Sequence, residues 1–115
     1  MSIITLSVVI PCYNEEGNLP ALIKTIGEAI EPLNISYEII VTDDCSRDNS
    51  WNLLKELAKN NSRLRVQRFA FNCGESAASF AGIKSARGRF IATMDADLQN
   101  DPRDLPKFIE ALQQF

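Results

Sequence analysis

Asp95 and Asp97 stand two positions apart in the run Asp95-Ala96-Asp97-Leu98-Gln99. Both can lean out of one turn toward the same point, and two hard oxygen donors beside Gln99 are a start on a Mg2+ or Mn2+ site, where waters and substrate phosphates usually complete the shell. A solvated turn is the alternative, and a lone Asp-x-Asp decides little. Three further runs carry carboxylates: Pro11-Cys12-Tyr13-Asn14-Glu15-Glu16, Asp43-Asp44-Cys45-Ser46-Arg47-Asp48 and Asn72-Cys73-Gly74-Glu75-Ser76. The chain has no His, which removes Ser/His and Cys/His triads and His-based zinc sites, so carboxylates and backbone must do any chemistry. Cys12, Cys45 and Cys73 are odd in number, widely spaced and without a CxxC, which fits neither a disulfide framework nor a zinc site. Reduced thiols in a cytoplasmic compartment are the expectation.

Each of the four runs follows a segment of β type: Leu6 to Ile10, Tyr37 to Thr42, Leu64 to Phe71 and Arg89 to Met94. The first, second and fourth are nearly continuous in hydrophobicity, as expected of strands covered on both faces. The third slips phase between Val66 and Phe69 and is expected to bulge or end early. Helical spacing lies between and after them. Leu19, Leu22, Ile23, Ile26 and Ile30 form one stripe, Trp51, Leu54, Leu57 and Ala58 a second, and Leu105, Phe108, Ile109 and Leu112 a last one. The segment Ser76 to Ala86 is rich in small residues, which allow close approach to a sheet or ligand. Pro32 lies just past the first helix, Gly88 is read as the C-cap of the third, and Asp104 as the N-cap of the last, with Pro106 in its first turn. Four alternations of strand and helix predict an α/β fold, a Rossmann-like doubly wound parallel sheet with right-handed crossovers. Ligands of such sheets bind outside the carboxyl ends of the strands, and all four acidic runs fall on that edge. Capping alone accounts for Asp48, Asp101 and Asp104.

The chain has 115 residues, 12 Lys+Arg against 15 Asp+Glu, a formal charge of −3 and 45% hydrophobic residues. That is one globular domain at most. The composition argues against disorder, collagen and coiled coil, and the acidity against a nucleic-acid groove. The apolar start at Met1 to Ile10 has no Lys or Arg before it and is followed by Glu15 and Glu16, unlike a signal peptide. No apolar run approaches the roughly 18 residues of a membrane span, so these residues are expected to be soluble. Pro11 to Asn18 holds neither GxGxxG nor GxxxxGK[ST]. An anionic diphosphate at this acidic edge would therefore need a divalent cation, which reverses the local sign of the field.

Taken together, Val9-Ile10-Pro11-Cys12-Tyr13-Asn14-Glu15, the Asp43 to Asp48 run, Asn72-Cys73-Gly74 with Ala77 and Gly82, and the Asp95 to Gln99 run with Pro102 resemble glycosyltransferase family 2. Within it they look most like the dolichol-phosphate and polyprenyl-phosphate sugar transferases, mainly through Asp97-Leu98-Gln99. The resemblance covers nearly the whole chain. It implies a GT-A fold, with residues 1–115 as the nucleotide-sugar-binding part and the acceptor-binding part, with any catalytic base, lying beyond. Carried over by position, Pro11, Tyr13 and Glu15 would line the nucleoside pocket, and Thr42 and Asp44 would contact base or ribose, although Thr42 is equally a buried strand residue. Asp95 and Ala96 would lie against ribose and diphosphate, and Asp95, Asp97 and Gln99 would hold Mg2+ or Mn2+. Asp43 is read as structural.

The implied reaction moves a sugar from a GDP- or UDP-sugar to an acceptor, a polyprenyl phosphate by the subgroup resemblance. Such an acceptor would bring the full-length protein to the cytoplasmic face of a membrane. A hydroxyl acceptor on a polysaccharide, or a nucleotide-binding module without turnover, is the alternative. A phosphoacceptor receiver module would want its acidic pair after the first strand, whereas here the pair follows the second. Two positions depart from the family: Cys45 replaces a frequent Gly, and Glu75 stands where many polyprenyl-type relatives have Lys. These residues alone are expected to bind donor without transferring sugar, and to expose an apolar surface through which copies could associate.

Overall fold

The computed structural model describes residues 3–96 together with 107 and 110. Its elements are β1 (Leu6–Cys12), α1 (Leu19–Ile30), β2 (Tyr37–Asp43), α2 (Ser50–Lys59), β3 (Leu64–Arg68), α3 (Glu75–Ser85) and β4 (Phe90–Thr93), with a 3-10 turn at Glu31–Leu33 that carries Pro32. The four strands form one parallel sheet in the order β3-β2-β1-β4. Every residue of β1 and β2 is buried, as their unbroken Val/Ile content predicts for central strands.

The two faces of β1 divide the packing. Leu6, Val8 and Ile10 join Leu19, Leu22, Ile26 and Ile30 of α1 and Leu54 of α2 in one core, each of them fully buried. Full burial of one such side chain contributes about 1.5–3 kcal/mol. The other face, with Val9 and Thr42, lies under α3, whose buried residues are Ala78 and Gly82. A Cβ on Gly82 would collide with Val9 Cγ1, so the small residues of α3 serve approach to the sheet. The chain thus winds outward from β1 to β3 on one face and crosses back under α3 to β4. That reversal opens a crevice between β1 and β4 at their carboxyl ends.

Three expectations change. β3 ends at Arg68 rather than Phe71, close to where the alternation slips, although the Phe69 N–H still donates to Asp43 O at 2.9 Å. β4 is not covered on both faces: it is an edge strand among the described residues, and Ile91 is 38% exposed. Gly88 is not a left-handed cap, because α3 ends at Ser85 with Ala86 extended. It is small because a Cβ there would sit 2.6 Å from Ser7 N and 2.8 Å from Leu6 C. The last helical stripe and its Asp104 cap lie outside the described residues.

Buried polar groups also staple the end of the sheet where the strands begin. Glu38 of β2 accepts from Ser7 Oγ at 2.6 Å, from Arg65 Nη2 at 2.7 Å and from the Arg87 N–H at 2.7 Å. Ser7 Oγ in turn accepts from the Gly88 N–H, and Arg65 donates to Ser85 O. Burial pushes the Glu38 carboxyl up, but the hydrogen bonds and the Arg65 guanidinium outweigh it and hold the group below the usual carboxylate range.

Candidate functional site

At the opposite end, the loops after β1 and β2 are laced together. Asn14, in the left-handed conformation at φ 55, accepts the Arg47 and Asp48 N–H groups on its Oδ1 at 2.8 and 3.3 Å, and its own N–H donates to Ser46 Oγ at 2.8 Å. The Glu15 N–H donates to Ser50 Oγ at 3.0 Å and the Glu16 N–H to Asp48 Oδ2 at 3.3 Å. Burial raises the Asp48 carboxyl, but the Ser50 hydroxyl and N–H and the Glu16 N–H outweigh it and hold it below its ordinary range. Asp48 therefore ties the two loops together one position ahead of Asn49, the N-cap of α2, rather than serving as the cap itself. Asp43 is fully buried, accepts from the Ser46 N–H at 3.0 Å and pairs with Arg68 at 3.4 Å, in line with a structural role.

Asp44 is 3% exposed, and its carboxylate holds the loop after β3: it accepts from the Cys73 N–H at 2.6 Å, the Gly74 N–H at 2.9 Å and Asn72 Nδ2 at 3.0 Å. Asn72 Nδ2 also reaches Asp44 O at 3.1 Å. Gly74 has φ 102, open to glycine and strained for other residues. The clamp fixes where α3 starts.

Between these loops and the end of β4 lies a cleft of about 410 Å3. Of the residues expected there, Pro11, Tyr13, Glu15, Asp44, Asp95 and Ala96 line it together. Thr42 does not. It is fully buried in β2 and accepts from Gln67 Nε2 at 2.8 Å. Asp97 and Gln99 lie outside the described residues. The sequence reasoning did not assign Cys12, Asn72, Gly74, Glu75 and Ala78 to the lining, although 72–75 belong to an acidic run already on this edge. Asn14, Ser46 and Ser50 were missed as positioning residues, and the only signal for them was Asn and Ser beside strand ends, which ordinary turns share.

Four carboxylate residues, Glu15, Asp44, Glu75 and Asp95, line the cleft, and no Lys or Arg does so among the described residues. Tyr13 is 41% exposed, so its ring is open for stacking. The Cys12 thiol is pushed up to about 12 by burial and by the nearby Asp43 charge, which leaves it protonated and a poor nucleophile. Cys45 adopts φ 59, the left-handed conformation a glycine takes without strain, and its Sγ lies 3.6 Å from Ala70 O, away from the cleft lining. Hard oxygen donors are the type that Mg2+ and Mn2+ take. Among the described residues no three His, Cys, Asp or Glu side chains come together as a metal group; Asp44 already spends its oxygens on the 72–74 loop.

Comparison with known proteins follows the same lines. The profile of glycosyl transferase family 2 matches residues 7–115. An undecaprenyl-phosphate 4-deoxy-4-formamido-L-arabinose transferase of Aeromonas hydrophila is 43% identical over 109 residues, 94% of this chain and 33% of its own length. A dodecaprenyl-phosphate galacturonate synthase of Rhizobium johnstonii is 40% identical over 94% of this chain and 32% of its own length. The chain thus spans about a third of the curated relatives it matches. Among solved structures, S. aureus TarS 1-349 in complex with UDP superposes with a TM-score of 0.79 at 23% identity, covering 96% of this chain and 32% of that one. A mannosyltransferase of Pyrobaculum calidifontis, with GDP-Man and Mn2+, superposes at 0.78 and 22% identity over 98% of this chain and 32% of its own. These likenesses establish the fold, a GT-A arrangement. No helix among the described residues is long and apolar enough to cross a membrane. The acidic cleft at the β1/β4 switch point, the profile match over all but the first six residues and the shared fold have one meaning: the chain belongs to glycosyltransferase family 2.

Proposed function

We propose that this chain is the donor-binding part of a glycosyltransferase that passes a sugar from a nucleotide-diphosphate sugar to a polyprenyl phosphate at the cytoplasmic face of a membrane. One observation carries the reading: the cleft is lined by four carboxylate residues and by no Lys or Arg among the described residues. A diphosphate would be repelled there unless a cation came with it. Asp95 and Asp97, with Gln99, would hold Mg2+ or Mn2+. Bound there, the cation would supply Lewis-acid stabilisation of the negative charge that grows on the departing nucleoside diphosphate.

The residues of the chain divide the remaining tasks. The exposed Tyr13 ring can stack on a base, with Pro11 and Ala96 forming apolar wall. Glu15 can accept hydrogen bonds from base or ribose hydroxyls. Asp44 acts mainly by fixing Asn72 and Gly74, which line the cleft beside it. The polyprenyl-phosphate acceptor is favoured by the names of the curated relatives, two of which are transferases or synthases on such lipid phosphates. A phosphate oxygen is already anionic and attacks the anomeric carbon without a general base. The C–O bond to the donor diphosphate breaks as the new one forms.

Calorimetric titration of the purified protein with UDP and GDP, each with and without Mn2+, tests the reading. Binding is expected only with the metal, and Asp97→Ala is expected to weaken it by at least about tenfold, the loss of one strong ligand. Metal-independent binding, or an unchanged affinity in the variant, would overturn the metal assignment.

A further inference from the structure

We propose that the outward face of α3 and the turn after it form a contact surface for an anionic lipid bilayer. Residues 76–94 contain Lys84, Arg87 and Arg89 and no Asp or Glu, in a chain whose formal charge is −3. Because α3 turns Ala78 and Gly82 to the sheet, helical geometry sends positions 80 and 84 to the far side, and Arg87 and Arg89 follow in the turn beyond Ser85. Phe80 is 61% and Ile83 40% exposed there, and Lys84, Arg87 and Arg89 are all exposed. The Lys84 ammonium lies 5.6 Å from the Phe80 ring centroid. Glu38, the carboxylate that approaches this turn from the sheet, is buried and held by Ser7, Arg65 and the Arg87 N–H.

An aromatic and a branched aliphatic side chain flanked by cations is the composition of an interfacial contact. The apolar pair enters at headgroup depth while Lys and Arg keep their charges among the phosphates. The pair stands on a convex helix face, which suits a yielding bilayer better than a rigid complementary groove. The choice of a bilayer over another anionic partner rests on the lipid-phosphate acceptor reading above. The position adds to it: α3 begins at Gly74 and Glu75 on the cleft and runs about 16 Å from there. A bilayer seated on its outer face would keep the cleft at the membrane surface.

Co-sedimentation of the purified protein with vesicles of phosphatidylglycerol, compared with vesicles of phosphatidylcholine, tests the surface. Binding is expected to phosphatidylglycerol alone and to fall as NaCl is raised. The double variant Lys84→Glu/Arg87→Glu is expected to bind at least about tenfold more weakly, and Phe80→Ser to bind more weakly with an unchanged salt slope. All these side chains are exposed, so circular dichroism and metal-dependent nucleotide binding should match the parent. Absent binding to phosphatidylglycerol, or equal binding by parent and double variant, would overturn the surface while leaving the cleft reading intact. Vesicle binding without metal-dependent nucleotide binding would do the reverse.

Discussion

The two ends of the sheet use the same functional group in opposite ways. Where the strands begin, Glu38 is buried and surrounded by Ser7, Arg65 and the Arg87 N–H. Where they finish, several carboxylates stand around an open cleft, with one of them, Asp44, turned onto the backbone of the next loop. A carboxylate with its partners built in is a staple. One lining a cleft with no Lys or Arg among the described residues adds negative charge to that opening, even where, like Glu15 accepting from Asn18 Nδ2 at 2.7 Å, it also holds a neighbour. Residue type alone does not separate these roles; burial at one end and a place on the cleft wall at the other do.

The sharpest attempt to break this contrast is Glu38→Ala. It strands Arg65 and two donors near the sheet and should cost about 3 kcal/mol, a fall of about 15 °C in Tm for a domain of this size, with nucleotide affinity unchanged. Chemical denaturation beside nucleotide titration would check it, and a large loss of affinity would show that the two ends are not independent. The Glu38 carboxyl is held below its ordinary 4.5 in the folded state. Its contribution is therefore present above that value and lost as pH falls through the lower folded value. Unfolding midpoints measured down through pH 4 should drop for the parent and drop less for Glu38→Gln.

Asp44→Ala is the next test, because Asp44 belongs to both descriptions. It releases the Cys73 and Gly74 N–H groups, which lie near the surface and can find water, so a stability cost of about 2 kcal/mol is expected. Affinity for nucleotide should fall as well, since Asn72 and Gly74 lose their fixed place. If stability drops and affinity does not, Asp44 is a staple like Glu38.

The smallest effect is expected of Cys45→Gly. The left-handed φ of 59 costs a residue with a Cβ about 1 kcal/mol, and glycine gives part of that back to chain entropy, leaving a gain of about 0.5 kcal/mol. A loss of stability would mean that the Cys45 Sγ contact with Ala70 O outweighs the strain.

Much of the architecture was legible because it depends on short-range pattern. The Val/Ile runs of β1 and β2 announce central strands, and the order of strands and helices puts four acidic loops on one edge. Six of the eight expected nucleotide-site residues meet at the cleft. What stayed hidden depends on partners far along the chain. Gly88 reads as a helix cap until Ser7, 81 positions earlier, is found against it. Ile91 reads as covered because hydrophobicity records what would favour burial, not whether a neighbour is there. Asp44 lines the cleft, and its hold on backbone 29 and 30 residues on leaves no mark in the sequence around it.

The lacing of Asn14 and Glu15 to Ser46, Arg47, Asp48 and Ser50 spans 32 to 35 residues in each bond. No short segment contains the cleft, and those bonds can close only after β1 and β2 have paired. A peptide copied from either loop would keep the acidic residues and lose the shape that makes them a site. A ligand that fits the cleft selects the folded chain over every partly formed one, so the nucleotide would act on this molecule as a test of completed folding.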